Sequence, residues 1–393
     1  AKICILQDVT IDEETLKKYN DRAIILVQDT LKALQSIAKY KRSLYDIPVI
    51  AVTGSVGKTS TKDIIANVLG QKYKVLKTEG NMNNHIGLPM TLLKLKDHTA
   101  VVVEMGMNHF GEISLLTNIA KPTGCVITNI GTSHIGNLGS RENILKAKLE
   151  ILEGLDKNGF VLINNDNDLL HEWAKKEKRY KIYTYGLENN STYMAKKITT
   201  LENSSEFEIN GIKGTVPIGG IHFVYNSVCA FAVGDILNVE KEKIIKGISK
   251  FKLTAKRMDI EIIQDNIKII NDSYNASYDS MKAALEVVNN TLAQRKIAIL
   301  GDMLELGEYA KELHEKVGEE VVKNKIDILI TIGENAKNIA NKAKELKMEN
   351  VKSFNNIDEA IKNIKEIIKS GDLILLKASN SMNFSKILNE IKA

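Results

Sequence analysis

The feature that most restricts the fold is an apolar run that leads directly into a glycine-rich loop. Val49–Thr53 is typical of a buried strand, and the residues after it are Gly54-Ser55-Val56-Gly57-Lys58-Thr59-Ser60. Glycines let backbone N–H groups approach phosphate oxygens, and the helix that follows adds partial positive charge at its N-terminus. Lys58 can reach the terminal phosphates of a nucleotide, and the Thr59 hydroxyl can bind Mg²⁺. Although the spacing is two residues shorter than the common pattern, the flanking strand and helix predict a phosphate-binding loop rather than a simple glycine turn.

Strand and helix patterns alternate after this loop. Continuous apolar runs such as Ala100–Glu104 are typical of parallel strands that are covered on both faces. We predict strands at Val49–Thr53, Lys74–Lys77, Ala100–Glu104, Cys125–Asn129, Phe160–Asn164 and Lys181–Tyr185, antiparallel strands within 191–218, and a helix from about His222 to Leu237. The alternation predicts an α/β fold, with a central phosphate-loop domain built on a mostly parallel sheet.

A second α/β unit begins near Leu253 and predicts a Rossmann-like C-terminal domain. Its candidate strands are Ile260–Ile263, Lys268–Asn271, Ile297–Leu300, Ile328–Ile332 and Leu373–Lys377. Residues 1–46 contain only a short strand pair and a helix at Thr30–Arg42, which is too little for an independent domain. We therefore divide the chain into 1–46, 47–252 and 253–393, with the last boundary at about Phe251–Ala255.

Composition excludes several functional classes. The 393 residues are 44% hydrophobic and 26% charged, which is typical of a globular protein with two to three domains. Only six of the 54 basic residues are Arg and no dense basic run occurs, so we expect no nucleic-acid partner. No apolar run reaches the length of a membrane span, and because the first residues show neither the basic region nor the apolar region of a signal peptide, we expect them not to be one. Three scattered cysteines fit a reducing compartment, and we expect a cytoplasmic protein.

Three further polar residues follow or accompany the predicted strands. Glu104 ends an apolar strand, where a carboxylate could hold Mg²⁺ directly or through water. His134 lies in a glycine-rich stretch after the next strand, and strand ends are where α/β sheets bind ligands. Lys148 lies on a predicted helix. Taken singly, each also fits an ordinary interpretation: a solvated strand end, an exposed loop histidine and a solvated helix lysine.

Taken together, these residues resemble the Mur ligase superfamily, the ATP-dependent amide-forming ligases of peptidoglycan precursors and folate polyglutamates. Within it, the chain is similar to the type that joins D-alanyl-D-alanine to UDP-N-acetylmuramoyl-tripeptide. The stretches that carry this similarity are Gly80-Asn-Met-Asn-Asn84-His-Ile-Gly87-Leu-Pro89, Glu104-Met-Gly-Met-Asn108, Asp272-Ser-Tyr-Asn275-Ala and Leu300-Gly-Asp302-Met-Leu-Glu-Leu-Gly307. Folate-type relatives are not expected to carry this set.

The resemblance implies ATP and Mg²⁺ as cofactors and assigns roles position by position. The implied metal ligands are Thr59, Glu104, His134 and Lys148, the last in carbamylated form. The implied catalytic residues are Lys58, Lys148, His222 and Asp272. The implied ATP-binding residues are Gly54 to Ser60, Asn226, Arg257 and Asn275. The implied substrate-binding residues are Asn81, Asn83, Asn84, Lys377 and Asn380.

The resemblance also implies individual functions within these groups. His222 and Asn226 are four residues apart on a predicted helix and therefore share one face. Asn275 would contact the adenine. Arg257 and Asp272 would approach the nucleotide phosphates when the C-terminal domain closes.

The implied chemistry has two steps and needs no protein nucleophile. The tripeptide carboxylate attacks the γ-phosphate of ATP to give an acyl phosphate, and the amine of D-alanyl-D-alanine then displaces phosphate. Catalysis of this kind depends on positioning and electrostatics, and domain closure would bring ATP and the amine together. The expected partners are these two substrates, and we expect a monomer.

Two departures from the family pattern stand out. Family members of this type begin with a domain that binds the UDP-sugar, and residues 1–46 correspond only to its last part. The family usually has Lys-Gly-Ser-Arg where this chain has Lys377-Ala-Ser-Asn380, and no Arg follows Arg295. Because an Arg would pair with a substrate carboxylate through two hydrogen bonds, the dipeptide site is expected to differ here.

Other functions compete with this interpretation. One alternative is a ligase of the same fold that uses another amino-acid acceptor. A second is an ATP-binding module without ligase activity, which would bind ATP and release no product. A motor or signalling NTPase is a third, but we find no arginine-finger candidate and no switch-like pattern to support it.

Overall fold

The first elements of the chain form a small parallel strand pair and a helix that lies against the rest of the molecule. The computed structural model describes residues 2–7, 10–18, 21–253 and 257–392. Its first elements are β1 (Ile3–Leu6), α1 (Glu13–Lys18), β2 (Ala23–Leu26) and α2 (Thr30–Ser43). Asp29 caps α2 by accepting a hydrogen bond from Lys32 N. Near the other end of α2, buried Arg42 donates to the carbonyl oxygens of Ala120 and Lys121, which fixes the helix to the following unit.

A nine-stranded sheet forms the centre of the molecule. Its elements are β3 (Val49–Thr53), α3 (Lys58–Leu69), β4 (Val75–Lys77), α4 (Gly87–Leu93), β5 (Ala100–Glu104), α5 (Glu112–Ala120), β6 (Gly124–Ile127), α6 (Ile135–Leu138), α7 (Arg141–Leu149), β7 (Phe160–Asn164), α8 (Asp168–Lys176), β8 (Lys181–Gly186), β9 (Tyr193–Thr200), β10 (Ser205–Ile209), β11 (Ile212–Val216), α9 (Ile221–Ile236) and α10 (Lys241–Ser249). The strand order is β11-β10-β9-β8-β7-β6-β3-β5-β4. Along the sheet, the strands β4, β5, β3, β6, β7, β8 and β9 pair in parallel with their neighbours. The strands β9, β10 and β11 pair in antiparallel fashion. This order confirms the predicted mostly parallel sheet.

The strand order creates a crevice beside the phosphate loop. β3 lies between β5 and β6, so the chain leaves β3 toward one edge of the sheet and later returns on its other side. All five residues of β3 and of β5 are buried, as expected for strands covered on both faces. Ligands of open α/β sheets bind outside the carboxyl ends of the strands at such a reversal. The loops after β3, β5 and β6 meet there.

A six-stranded sheet forms the C-terminal part. Its elements are β12 (Asp259–Ile262), β13 (Lys268–Asn271), α11 (Tyr278–Asn290), β14 (Arg295–Gly301), α12 (Ala310–Lys323), β15 (Ile328–Ile332), α13 (Lys337–Glu345), β16 (Val351–Phe354), α14 (Ile357–Ile367), β17 (Asp372–Lys377) and α15 (Ser385–Lys392). The order is β12-β13-β17-β14-β15-β16, and only the β12–β13 pair among these strands is antiparallel. This arrangement matches the predicted second α/β unit.

The differences from the sequence prediction are small. Five of the eleven strands predicted with limits keep those limits, and the other six shift by one or two residues at one or both ends. β16 was not predicted because this short edge strand is half exposed and lacks alternation. The predicted boundary at Phe251–Ala255 runs into residues 254–256, which lie outside the described residues.

Candidate functional site

A cavity of about 720 Å³ lies between the two sheets and collects most of the predicted site residues. From the central sheet it is lined by Ser55 to Ser60, Asn83, Asn84, Glu104, His134, His222 and Asn226. From the C-terminal sheet it is lined by Arg257, Asp272, Asn275 and Lys377. Gly54, Asn81, Lys148 and Asn380 are not part of the lining.

The phosphate loop is held open by the segment after β6. The side-chain oxygen of Asn129 accepts from Ser55 N at 3.0 Å and from Val56 N at 2.9 Å. Thr128 Oγ1 donates to Val56 O at 2.7 Å. Gly54 has a φ of 151°, and a Cβ there would lie 1.9 Å from Thr128 Oγ1. Only glycine allows this close approach, which gives the loop its shape.

Lys58 begins α3 and lies over the loop that precedes it. Its Nζ donates to Gly54 O at 2.8 Å and to Ser55 O at 3.3 Å. Burial lowers the pKa of this ammonium, whereas Glu104 raises it and Arg257 lowers it further. A cation placed at the end of β3 and at a helix N-terminus suits an anionic ligand such as a phosphate.

Thr59 and Glu104 form a direct contact at the foot of the loop. Thr59 Oγ1 donates to Glu104 Oε2 at 2.8 Å, and Asn83 Nδ2 donates to Oε1 at 2.8 Å. Thr78 Oγ1 accepts from Glu104 N at 3.0 Å, so the end of β5 is fixed as well. The result is a buried carboxylate that is 2% exposed and is oriented by hydrogen bonds on both oxygens.

The oxygen atoms at this position suit a hard cation. Mg²⁺ prefers oxygen ligands and is usually bound through one or two carboxylates together with waters and substrate phosphates. The Thr59 hydroxyl and Glu104 carboxylate provide such oxygens. Within the described ranges, no three His, Cys, Asp or Glu side chains are grouped to hold a metal ion. The residues therefore fit an ion that is shared with phosphate, not an ion enclosed by protein side chains alone.

Lys148 lies near the end of α7 and is 1% exposed. Burial lowers the pKa of its amine well below the usual value, and the charge of Lys58 lowers it further. No ion pair with Lys148 occurs among the residues that the structure describes. An uncharged, desolvated amine is nucleophilic, which is the form that reacts with carbon dioxide to give a carbamate.

The polar residues of the C-terminal sheet are bound to one another. Lys377, which is 1% exposed, forms an ion pair with Asp272 and donates to Asn275 O at 3.1 Å. Met258 N donates to Asp272 Oδ1 at 3.2 Å. The Arg257 guanidinium lies 3.9 Å from the centroid of the Tyr274 ring.

Two predicted residues on α9, His222 and Asn226, line the same cavity. Asn226 accepts from Thr61 Oγ1 at 3.0 Å, which joins α9 to α3. Burial lowers the pKa of His222 to about 4, while Asp272 raises it and Lys377 lowers it. His222 is therefore neutral near pH 7.

The predicted substrate residues are divided by the structure. Asn83 and Asn84 line the cavity, whereas Asn81 lies outside the lining and its carbonyl oxygen accepts from Asn83 N at 2.8 Å. Asn380 is exposed in the turn after β17 and does not line the cavity.

Sequence reasoning missed three residues that shape the site. Asn129 holds the phosphate loop, as described above. Asp279 accepts from Thr132 N and Oγ1, and Glu305 binds His134, each contact joining the central unit to the C-terminal unit. Glu305 lies in the stretch Leu300–Gly307 that carried the family resemblance, although no role was assigned to it.

Two family profiles match the sequence over most of its length. The profile of the Mur ligase middle domain matches residues 52–234, and the profile of the Mur ligase glutamate ligase domain matches residues 256–380. A UDP-N-acetylmuramoyl-tripeptide–D-alanyl-D-alanine ligase from Bacillus subtilis is 41% identical over 376 residues, which cover 94% of this chain and 81% of that protein. The chain belongs to the Mur ligase family. A similarly named relative from Synechocystis is 37% identical and covers 94% of this chain and 80% of its own length.

Solved Mur ligase structures share the fold. A crystal structure of MurF from Acinetobacter baumannii superposes with a TM-score of 0.90 at 29% identity and covers 99% of this chain and 84% of that chain. MurF from Thermotoga maritima, solved in complex with ADP, gives 0.85 at 25% identity and covers 99% and 94%. In the described part of this Mur ligase, no helix has the length and apolar character needed to cross a membrane.

Proposed function

We propose that this Mur ligase joins D-alanyl-D-alanine to UDP-N-acetylmuramoyl-tripeptide at the expense of ATP. The observation that carries the proposal is the arrangement at the foot of the phosphate loop. There Lys58 lies on the loop, and Thr59, Glu104 and Asn83 are hydrogen-bonded in one row along the cavity wall. This arrangement combines phosphate binding with an oxygen site for a cation, as phosphoryl transfer requires.

In the first step, an oxygen of the tripeptide carboxylate attacks the γ-phosphorus of ATP, and the bond to the β-phosphate oxygen breaks to release ADP. Lys58 neutralises charge on the transferred group, and the backbone N–H groups of the loop hold the remaining phosphates. A bound Mg²⁺ at Thr59 and Glu104 would supply further charge neutralisation. His134 and carbamylated Lys148 are proposed as additional ligands.

In the second step, the free amine of the dipeptide attacks the acyl carbon and phosphate leaves. The amine loses a proton as the amide forms. Arg257 and Asp272 line the C-terminal side of the cavity and are proposed to approach the nucleotide phosphates, and Asn275 is proposed to contact the adenine. Because the cavity walls come from both sheets, the acyl phosphate would be formed away from bulk water.

The organisation of the chain follows from this proposal. Residues 1–46 would end a UDP-sugar-binding domain, 47–252 would bind ATP, and 253–393 would bring the dipeptide to the acyl phosphate. We place the enzyme in the cytoplasm, where ATP and the UDP-linked precursor are both present.

A side-by-side assay of acceptors tests the proposal. ADP release and product mass are measured with ATP, the UDP-linked tripeptide, and D-alanyl-D-alanine, L-glutamate or meso-diaminopimelate. We expect product only with D-alanyl-D-alanine. Product with another acceptor would assign a different ligase, and ATP binding without product would indicate a nucleotide-binding module.

Matched variants connect the assay to the site. Glu104→Gln removes the charge of the cation site and is expected to lower turnover by at least about a hundredfold, as loss of metal stabilisation at a transition state does. Glu79→Gln removes a charge from an exposed position just before Asn83 and is expected to leave turnover unchanged. Equal effects of the two changes would contradict the assignment of Glu104.

A further inference from the structure

His134, which is proposed as a metal ligand, is bound by a carboxylate of the C-terminal unit. His134 lines the cavity, and its Nδ1 is hydrogen-bonded to Glu305, which lies in the turn after β14 and outside the lining. The two residues are 171 positions apart in the chain. Since Nδ1 is engaged with Glu305, the second ring nitrogen, Nε2, is left for the cavity.

This contact decides which nitrogen of the ring carries the proton. An ionised carboxylate has only acceptor atoms, so in the neutral ring Nδ1 is the donor and Nε2 holds the free lone pair. Metal-bound histidines typically donate their other N–H to a carboxylate, which fixes the ring orientation and raises the basicity of the ligating nitrogen.

The backbone of Glu305 is held in place by close packing with α6. Gly136 N donates to Glu305 O at 3.0 Å. A Cβ at Gly136 would lie 2.5 Å from Gly307 N and 2.7 Å from Glu305 O, so only glycine permits this approach. Glu305 itself has a φ of 62°. The side chain therefore projects toward His134 from a backbone that both units define.

We infer that Glu305 is a positioning residue for the metal site: it selects the His134 tautomer whose Nε2 can bind the cation, and it does so only when the C-terminal sheet is docked on the central sheet. This inference rests on the proposed role of His134 as a ligand. The inference goes beyond that role because part of the metal site then depends on a residue of the C-terminal unit. Docking of the two units and affinity for the metal are therefore coupled.

A purely structural role for Glu305 is the competing explanation. Other contacts also join the two units near α6: Tyr309 OH donates to Gly139 O at 2.6 Å, and Asp279 accepts from Thr132 N at 2.8 Å. If Glu305 served only docking, removal of the Tyr309 bond would have the same consequence as removal of Glu305. The experiment therefore compares Glu305→Ala with Tyr309→Phe.

The first measurement is the tautomer of His134 in the full chain without metal. Nitrogen NMR of isotope-labelled histidine separates the two neutral tautomers, and the sequence has only seven histidines, so His134→Gln identifies the signal. We expect the Nδ1–H form in the native protein and in Tyr309→Phe. In Glu305→Ala we expect the mixture of both neutral tautomers that a free imidazole shows. In Glu305→Gln we expect the native tautomer, because the amide oxygen can still accept the hydrogen bond. A native Nε2–H form, or a signal unaffected by Glu305→Ala, would overturn the inference.

The second measurement is the affinity of the ADP-bound chain for Mn²⁺. The free ion is quantified by its paramagnetic resonance signal. Glu305→Ala is expected to weaken binding about 10- to 100-fold, as is usual when the partner of a ligating histidine is removed. Glu308→Ala changes an exposed charge three residues further on and is expected to have no effect. Equal weakening by Glu305→Ala and Tyr309→Phe would assign Glu305 to docking alone and overturn the inference.

His134→Gln separates failure of the inference from failure of the proposed function. If His134→Gln weakens Mn²⁺ binding and Glu305→Ala does not, His134 is a ligand and only the role of Glu305 is refuted. If His134→Gln itself leaves the Mn²⁺ affinity unchanged, the proposed ligand role fails and the inference falls with it.

Discussion

Gly54→Ala is expected to damage nucleotide binding through one identifiable collision. The new Cβ would lie 1.9 Å from Thr128 Oγ1, so Thr128 must move and its 2.7 Å bond to Val56 O must break. A side chain at a φ of 151° is strained by about 1 to 3 kcal/mol, and a partly buried carbonyl that loses its partner costs about 1 kcal/mol or more. Even the lower limits together, about 2 kcal/mol, correspond to about a thirtyfold loss of affinity if the loop must recover its shape to bind phosphate.

Removal of the colliding hydroxyl tests this reasoning. Each single change, Gly54→Ala or Thr128→Ala, removes the hydrogen bond from Thr128 to Val56 O. The double variant loses that one bond only once, so its cost is counted twice when the two single effects are added. The two changes should therefore be less than additive by about 1 kcal/mol, which is about a fivefold difference in affinity. The assay is calorimetric titration with ADP at constant Mg²⁺, with urea unfolding as a check that each variant is folded.

Gly211→Ala is the matched control. Gly211 has a φ of 85° in the turn between β10 and β11, and a Cβ there meets no atom within 4 Å. It therefore carries backbone strain without a collision and far from the loop, and it should bind ADP normally. ADP affinity of Gly54→Ala within about twofold of the native value, or strict additivity with Thr128→Ala, would refute the account of the loop.

Three further predictions concern individual side chains. Lys148→Ala should abolish turnover, and short carboxylic acids should restore part of it in this variant only; full activity in a phosphate-release assay would refute carbamylation. His222→Gln should reduce the loss of unfolding free energy that occurs as the pH falls. Because burial lowers the pKa of His222 to about 4, the unfolded state takes up the proton first, so stability falls as pH drops from about 6.5 to about 4. The native protein should lose up to about 3 kcal/mol more than His222→Gln over this range, measured by urea unfolding at both limits; equal profiles would contradict the assignment. Asn380→Arg should lower the KM for D-alanyl-D-alanine by supplying a bidentate partner for its carboxylate, and an unchanged KM would count against placing position 380 at the dipeptide.

Local signals made the central unit predictable from sequence. The apolar runs at Val49–Thr53 and Ala100–Glu104 form strands with the predicted limits because both are buried on each face. Strand ends in a parallel sheet meet at one edge, so the proximity of Lys58, Thr59 and Glu104 could also be anticipated.

Contacts between distant segments could not be found in this way. The bond from Thr132 to Asp279 joins residues 147 positions apart, and the packing of Gly136 on Gly307 depends on how the two sheets dock. No periodicity or spacing encodes such a contact. The ion pair of Lys377 with Asp272 was missed for the same reason, since the family resemblance implied only that Asp272 approaches the nucleotide phosphates and that Lys377 binds the substrate.

The acyl phosphate route is tested most directly by isotope transfer. The tripeptide carboxylate is labelled with the heavy oxygen isotope, the full chain is incubated with ATP, Mg²⁺ and D-alanyl-D-alanine, and the released phosphate and the peptide product are analysed by mass. Attack of the carboxylate on the γ-phosphate predicts one labelled oxygen in each phosphate and an equal amount of the extended peptide. Unlabelled phosphate would mean that water attacks ATP, and it would contradict the proposed ligase mechanism.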